Sequence, residues 1–370
     1  MKLLIRADAN ARIASGHIRR CLSIAAGFVD TKVEIVFVCS ELEAKRVLDG
    51  TKYKTIILEN DYREKDREIL LLKDIIHKEH VDGILVDSYE VTERYLSELG
   101  KVCRVAYIAT MKDIDFTGNL LINYTQYAKQ KYFDEKYSKL KQSGFLLQGE
   151  KYVPLRKEFF KIPHRDRKKI KNILITTGGS DPDNMSYAIL MACMSISQLK
   201  DMSYTVVVGN YFKNVEQLEK LQKKNPKIVL KHNVSNMSEL MKYNDVAVSA
   251  GGTTLFEVCA CGLPAISFSM ADNQIPMAEY FDQKELIPYS GDERTQHTEV
   301  LINIRNILCG WTLLWISDHI FHRALLSLPS PSSGYRRRNR EESISNNWFY
   351  YGTAHDVHID LLCASASSIG

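Results

Sequence analysis

Two short segments hold the side chains best suited to chemistry. The first is Asp8 and the run Ser15-Gly16-His17-Ile18-Arg19-Arg20-Cys21-Leu22. Ile18, Cys21, Leu22, Ala25 and Ala26 repeat at helical spacing, so His17 falls at a helix start after a permissive glycine. An imidazole at the mouth of a strand–helix turn can move protons, and a nearby helix N-terminus would favour its neutral, basic form. A hydrogen-bonded structural histidine is the alternative. The second segment, Ser249 to Gln274, reads SAGGTTLFEVCACGLPAISFSMADNQ. Here Gly251-Gly252-Thr253-Thr254 lies between an apolar strand run (245–248) and a helix-like run (255–261). The first backbone N–H groups of a helix lack intrahelical partners, the dipole is positive there, and glycines let an anion come close. A diphosphate is the natural occupant.

Strand-like runs alternate with helix-like runs along the chain and must position both segments. The expected strands are 3–5, 33–39, 55–58, 83–86, 104–108, 120–122 and 145–147, then 172–176, 204–208, 228–231, 246–249 and 265–268. Segments such as 63–80 and 93–99 have helical periodicity with charged faces. Such alternation predicts an α/β fold of two Rossmann-like domains, 1–150 and 151–300, with parallel sheets facing a central cleft. In such folds ligands bind beyond the carboxyl ends of the strands. Both segments, and Thr176-Thr177-Gly178-Gly179-Ser180-Asp181, fall at such ends.

Composition narrows the class. The chain has 370 residues, enough for two cores, and a net charge of +4 with lysines spread along it. That pattern does not suggest a nucleic-acid partner. Its eight cysteines show no paired-ligand spacing, and Cys259-Ala260-Cys261 is too tight for an ordinary zinc pair. With no signal peptide and no apolar run long enough for a bilayer, a reduced, cytoplasmic setting without stable membrane insertion is expected. The end of the chain is different. All 30 lysines precede residue 285, whereas all three tryptophans and five of the ten histidines follow residue 290. Helical periodicity fades after about Asn306, a Ser/Pro-rich stretch covers 327–333, and Arg336-Arg337-Arg338-Asn339-Arg340 is a basic run. Residues 301–370 therefore read as an atypical tail: out-of-frame sequence, a solvated extension or a module for an acidic partner.

Arg6-Ala7-Asp8, Gly16-His17, Arg20-Cys21-Leu22, the GGSDPDN run at 178–184 and SAGGTTLFEVCACGLPAI occur in order. Together they resemble the bacterial UDP-sugar hydrolases of pseudaminic acid biosynthesis, which release UDP from UDP-2,4-diacetamido-2,4,6-trideoxy-β-L-altropyranose. That family is similar to the peptidoglycan N-acetylglucosaminyltransferase and has the GT-B architecture. The resemblance covers roughly residues 1–300 and implies that His17 activates water for inverting attack at the anomeric carbon. It implies that Asp8 orients His17 or the sugar, and that Gly251, Gly252, Thr253 and Thr254 hold the diphosphate. Glu257 would accept hydrogen bonds from the ribose, and Asn273 and Gln274 would reach sugar or phosphates. Gly16, Arg20, Gly178, Gly179, Ser180 and Ser249 are further expected contacts to the UDP-sugar. No metal or other cofactor is implied.

Alternatives stand beside several of these roles. Glu257 could be a solvated helix residue, Asn273 the cap of a helix starting near Ile275, and Asp181 a turn residue or N-cap. Asp87-Ser88-Tyr89 follows a strand and reads as a loop turn or a cleft-facing segment. Where family members carry paired aspartates after the strand ending at Ile108, this chain has Ala109-Thr110-Met111, with Asp113 and Asp115 further on. Three functions remain open: the hydrolase, a GT-B glycosyltransferase using a UDP-sugar donor, and a non-catalytic sugar-nucleotide binder.

Overall fold

A computed structural model describes residues 1–109, 114–124, 130–160, 162–163, 165, 167, 169–232 and 234–313. Thr110, Met111, Asp113 and the tail from residue 314 lie outside the described residues. The described residues divide into two units, Met1–Lys157 and those from Glu158 to Leu313, each with its own parallel sheet.

The first unit holds β1 (Lys2–Ala7), β2 (Glu34–Cys39), β3 (Lys54–Ile57), β4 (Gly83–Asp87), β5 (Arg104–Ile108), β6 (Leu120–Asn123) and β7 (Leu146–Gln148). Its helices are α1 (Gly16–Gly27), α2 (Lys45–Leu48), α3 (Ile69–Lys78), α4 (Glu93–Gly100), α5 (Gln130–Lys136) and α6 (Ser138–Gln142). The strand order is β3-β2-β1-β4-β5-β6-β7, every pair parallel. The central strands are buried on both faces, which is why they read as continuous apolar runs rather than alternating ones. The order reverses between β1 and β4, where Ala7 is the register partner of Asp87. The loops after these two strands therefore leave the sheet in opposite directions and open a crevice.

The second unit holds β8 (Asn172–Thr176), β9 (Ser203–Val208), β10 (Ile228–His232), β11 (Val246–Ala250), β12 (Ala265–Ser269) and β13 (Tyr289–Asp292). With them come α7 (Met185–Met194), α8 (Val215–Lys224), α9 (Met237–Tyr243), α10 (Thr254–Ala260), α11 (Ile275–Gln283) and α12 (Glu293–Leu313). The order β10-β9-β8-β11-β12-β13 is again parallel and reverses between β8 and β11. Each expected strand run is a strand, within two residues at its ends. The unannounced one is β13, a short polar Tyr-Ser-Gly-Asp run with Gly291 at φ +119°.

The second core also corrects the reading of the tail. After a kink at Gln296, α12 continues to Leu313, and Val300, Ile304 and Leu308 are buried among β8, β11 and β12 residues. Their spacing of four keeps them on one helix face. The periodicity expected to fade after Asn306 is thus still used at Leu308, and the core reaches past residue 301. No described helix is long and apolar enough to cross a membrane.

Candidate active site

The loop after β1 is shaped by its own polar side chains. Asn10 Oδ1 accepts from the N–H groups of Arg12 and Ile13, at 2.9 and 3.0 Å, and Ala14 adopts φ +56°. The chain then enters α1, and His17 falls in its first turn, 2% exposed. Its Nδ1 lies 2.8 Å from Asp87 Oδ1 and 2.7 Å from Arg20 Nη2. Its Nε2 is buried and has no hydrogen-bond partner among the described residues. The Tyr89 ring stands edge-on to the imidazole, 4.3 Å between centroids. Burial lowers the His17 pKa below its ordinary 6.5; Asp87 opposes this and Arg20 reinforces it. Burial therefore favours the uncharged imidazole, with a carboxylate and a guanidinium beside Nδ1 and no partner at Nε2 among the described residues.

Asp87 is the last residue of β4 and is fully buried. It accepts from Arg20 Nε on Oδ2 and from Arg20 Nη2 on Oδ1, both at 2.5 Å, while Cys21 Sγ lies 3.5 Å from Oδ2. Burial alone would push its carboxyl up, but Arg20 and His17 outweigh this and hold it well below the usual carboxylate range. Asp87 is thus no loop-turn residue; it is the acid that meets His17.

Asp8, expected to orient His17, is engaged elsewhere. Its Oδ1 accepts from Arg6 Nη1 at 2.8 Å and from the Ser40 amide at 2.7 Å, and its Oδ2 from Lys65 Nζ at 2.6 Å. Glu68 completes this buried cluster through Arg6 Nε and Nη2, at 2.7 and 2.9 Å, and through the Tyr95 hydroxyl at 2.7 Å. The carboxyl of Asp8 is desolvated, yet Arg6 and Lys65 hold it well below the usual range. Arg20, expected on the substrate, is 7% exposed and turned inward to Asp87 and the Tyr124 hydroxyl, the latter at 3.1 Å from Nη1. Gly16 is exposed, with open space where a Cβ would sit.

In the second unit the glycine segment follows β11, at the reversal of strand order. Gly251 is packed against Gln274 and Ala278, where a Cβ would meet the Gln274 carbonyl oxygen at 3.0 Å, and its amide donates to the Phe268 carbonyl at 2.7 Å. Gly252 faces open space. Thr253 and Thr254 are half-buried at the start of α10, and Glu257 lies one turn in, largely buried rather than a solvated helix residue. The Ser249 hydroxyl is fully buried and bonds the Ala250 carbonyl at 3.1 Å. Gln274 Oε1 accepts from the Met270 amide at 2.8 Å; Gln274, not Asn273, takes the N-cap position of α11.

The loop after β8 carries Gly178, at φ +88°, Gly179 and Ser180. Asp181 secures its end: its two oxygens accept from the Met185 and Ser186 amides, at 2.8 and 2.9 Å, so it caps the start of α7. One residue here gave no signal in the sequence. Glu293, at the start of α12, is 3% exposed, and its Oε1 has no hydrogen-bond partner among the described residues. Burial first, then the nearby Asp183 carboxyl, raises its pKa to about 7. Asp115 is exposed and pairs with Lys136 at 2.9 Å. Among the described residues no group of three or more His, Cys, Asp or Glu side chains is arranged to hold a metal ion, and the seven described cysteines are free thiols.

A family model described as the glycosyltransferase family 28 C-terminal domain matches residues 172–301. The calicheamicin glycosyltransferase CalG4 superposes with a TM-score of 0.61 at 11% identity, covering 97% of this chain and 98% of that one. A UDP co-structure of S. aureus MnaA superposes with a TM-score of 0.62 at 14% identity, covering 100% and 97%. The fold is GT-B. Among sequence relatives of this GT-B chain, an uncharacterized protein of Methanocaldococcus jannaschii is 28% identical over 282 residues, 72% of this chain and 55% of that protein. The Bacillus subtilis spore coat polysaccharide biosynthesis protein SpsG is 27% identical over 148 residues, 40% and 44%. The chain thus spans about half the length of these two curated relatives. The UDP-2,4-diacetamido-2,4,6-trideoxy-β-L-altropyranose hydrolase of Campylobacter jejuni is 25% identical over 256 residues, 68% and 85%.

Proposed function

We propose that this chain is a GT-B enzyme that breaks the anomeric C–O bond of a UDP-sugar and passes the sugar to an oxygen nucleophile. One observation carries the reading: the His17 imidazole meets a buried carboxylate at Nδ1 and has no hydrogen-bond partner at Nε2 among the described residues, in the unit whose strand order reverses between β1 and β4. In the tautomer that donates Nδ1–H to Asp87, Arg20 Nη2 is a second donor to the same carboxylate and not a partner of Nδ1, and Nε2 holds the lone pair and acts as general base. The nucleophile O–H gives its proton to Nε2. Its oxygen bonds to the anomeric carbon as the bond to the UDP oxygen breaks, with inversion and no covalent intermediate. UDP leaves with the bond pair. The segment Gly251-Gly252-Thr253-Thr254 would stabilise the diphosphate through amides and hydroxyls, with Gly178, Gly179 and Ser180 alongside and Glu257 on the ribose.

The nucleophile separates two readings. A hydroxyl acceptor, making the chain a glycosyltransferase, is favoured by the family-28 match and by the glycosyltransferases among its structural neighbours. Water, making it a hydrolase, is favoured by the Campylobacter relative, which aligns over 85% of its length. The diacetamido trideoxyaltrose nucleotide of that relative is the first substrate to try, with a place in pseudaminic acid biosynthesis following from it. Turnover in 18O-labelled water decides. Label at C1 of a released free sugar identifies the hydrolase. UDP release that needs an added hydroxyl acceptor identifies the transferase. UDP binding with no turnover of any UDP-sugar defeats both and leaves the non-catalytic binder.

A further inference from the structure

A carboxylate beside an imidazole does two things. It fixes which ring nitrogen carries the proton, and it stabilises the imidazolium, which raises the pKa. The second effect works against a base that must start unprotonated. The geometry around His17 contains a counterweight. Nδ1 of His17, Oδ1 of Asp87 and Nη2 of Arg20 form a closed triangle with sides of 2.8, 2.5 and 2.7 Å. Arg20 grips both Asp87 oxygens with Nε and Nη2, and Nη1 donates to Tyr124. All three guanidinium nitrogens are therefore used inside the unit, which removes Arg20 from the UDP-sugar contact expected of it.

We infer that Arg20 is a positioning residue that balances the charge of Asp87, so that Asp87 fixes the His17 ring without drawing a proton onto Nε2. This rests on the reading of His17 as the base. The other groups around the ring do not supply that balance. Asp8, after β1, is already matched by Arg6 and Lys65. Cys21, on α1, turns its thiol to Asp87, and burial keeps it protonated. Tyr124, after β6, is held neutral by burial, and Tyr89, after β4, offers its ring. Asp87 and Arg20 are the two full charges in contact with the imidazole, of opposite sign, and burial then decides in favour of the uncharged ring.

The test is a titration of the His17 ring in the full chain, by NMR of ring-labelled histidine assigned with His17→Gln, beside the pH dependence of kcat/KM. Wild-type His17 should titrate below 6.5. Arg20→Gln should raise that titration by about one unit, and the acid limb of kcat/KM should move up with it, so that the loss of rate at pH 6 exceeds that at pH 8, by up to about sixfold for a starting value below 6.5. Arg20→Lys, which keeps the charge, should hold the titration near its wild-type position. An unmoved titration with an equal loss of rate at every pH would overturn the inference. Should Arg20→Gln fail to fold, the wild-type titration decides: a value above 6.5 overturns the inference, and a value below it, kept in Arg20→Lys, supports it. If the titration shifts as expected but no UDP-sugar is turned over, the charge balance between Arg20 and Asp87 stands, while the proposed function falls and with it the role of Arg20 in positioning a base.

Discussion

Asp87→Asn keeps the shape of the side chain and removes its charge. Asp87 is fully buried and takes three contacts of 2.8 Å or less from His17 and Arg20. Without the carboxylate, the Arg20 guanidinium is a buried charge with no counter-ion, which costs about 3–5 kcal/mol. For a unit of this size that is a fall in melting temperature of about 6–20 °C. The kinetic effect is separate. An amide NH2 turned to His17 makes Nδ1 an acceptor and moves the proton to Nε2, the wrong tautomer for a base. A buried aspartate with this job in serine proteases is worth about 10⁴ in kcat. Here kcat should fall about 10²- to 10⁴-fold at a temperature well below the melt. Calorimetry and UDP release at 15 °C measure the two effects. A melt within about 2 °C of wild type together with kcat within about threefold would refute the reasoning. Asp8→Asn is the contrast. It too breaks a buried ion pair and lowers the melt, but it makes no contact with the ring, so the acid limb of the pH–rate profile should stay within about half a unit.

Further outcomes are expected elsewhere in the chain. The folded-state pKa values of Asp8 and Asp87 are depressed, so the stability they contribute is present above the unfolded carboxylate range and is lost as pH falls below about 4. Glu293 works in the opposite sense. Its pKa is raised to about 7, so its contribution is complete below 4.5 and fades as pH rises through 7. The second unit should melt lower at pH 8 than at pH 5, and Glu293→Gln should abolish the difference; a wild-type melt no lower at pH 8 contradicts this. Gly209→Ala would drive a Cβ into the carbonyl oxygens of Gly178 and Gly179, at a cost of about 1–3 kcal/mol. KM for the UDP-sugar should rise more than kcat falls, and an unchanged KM would separate this loop from the substrate. Leu308→Ala should cost about 2–5 kcal/mol in denaturant unfolding, whereas a loss under about 0.5 kcal/mol would take α12 out of the core.

The frame was readable because buried parallel strands have no polar face. Runs such as 83–86 and 246–249 announce themselves by apolar content alone. His17 was readable too, as a histidine after glycine at a strand-to-helix turn. Its partner was not. Asp87 lies 70 residues away and reaches the imidazole only because β4 pairs with β1, with Asp87 opposite Ala7. The resemblance pointed to Asp8 for orienting His17 or the sugar, yet Arg6 and Lys65 claim it. Arg20 was expected on the UDP-sugar because nothing in the sequence says that a guanidinium faces inward. Glu293 and β13 were silent for a related reason. A short polar strand and a carboxylate at a helix start look like surface, and only the pairing of β13 with β12 and the burial of Glu293 show otherwise.

The most direct measurement is UDP release from a panel of UDP-sugars by the wild-type chain and by His17→Gln, with UDP binding measured calorimetrically for both. The expected result is turnover in the wild type, a fall in kcat of at least about 10²-fold in His17→Gln, and UDP affinity unchanged. Equal turnover by both proteins would contradict His17 as the base, and with it the role proposed for the site.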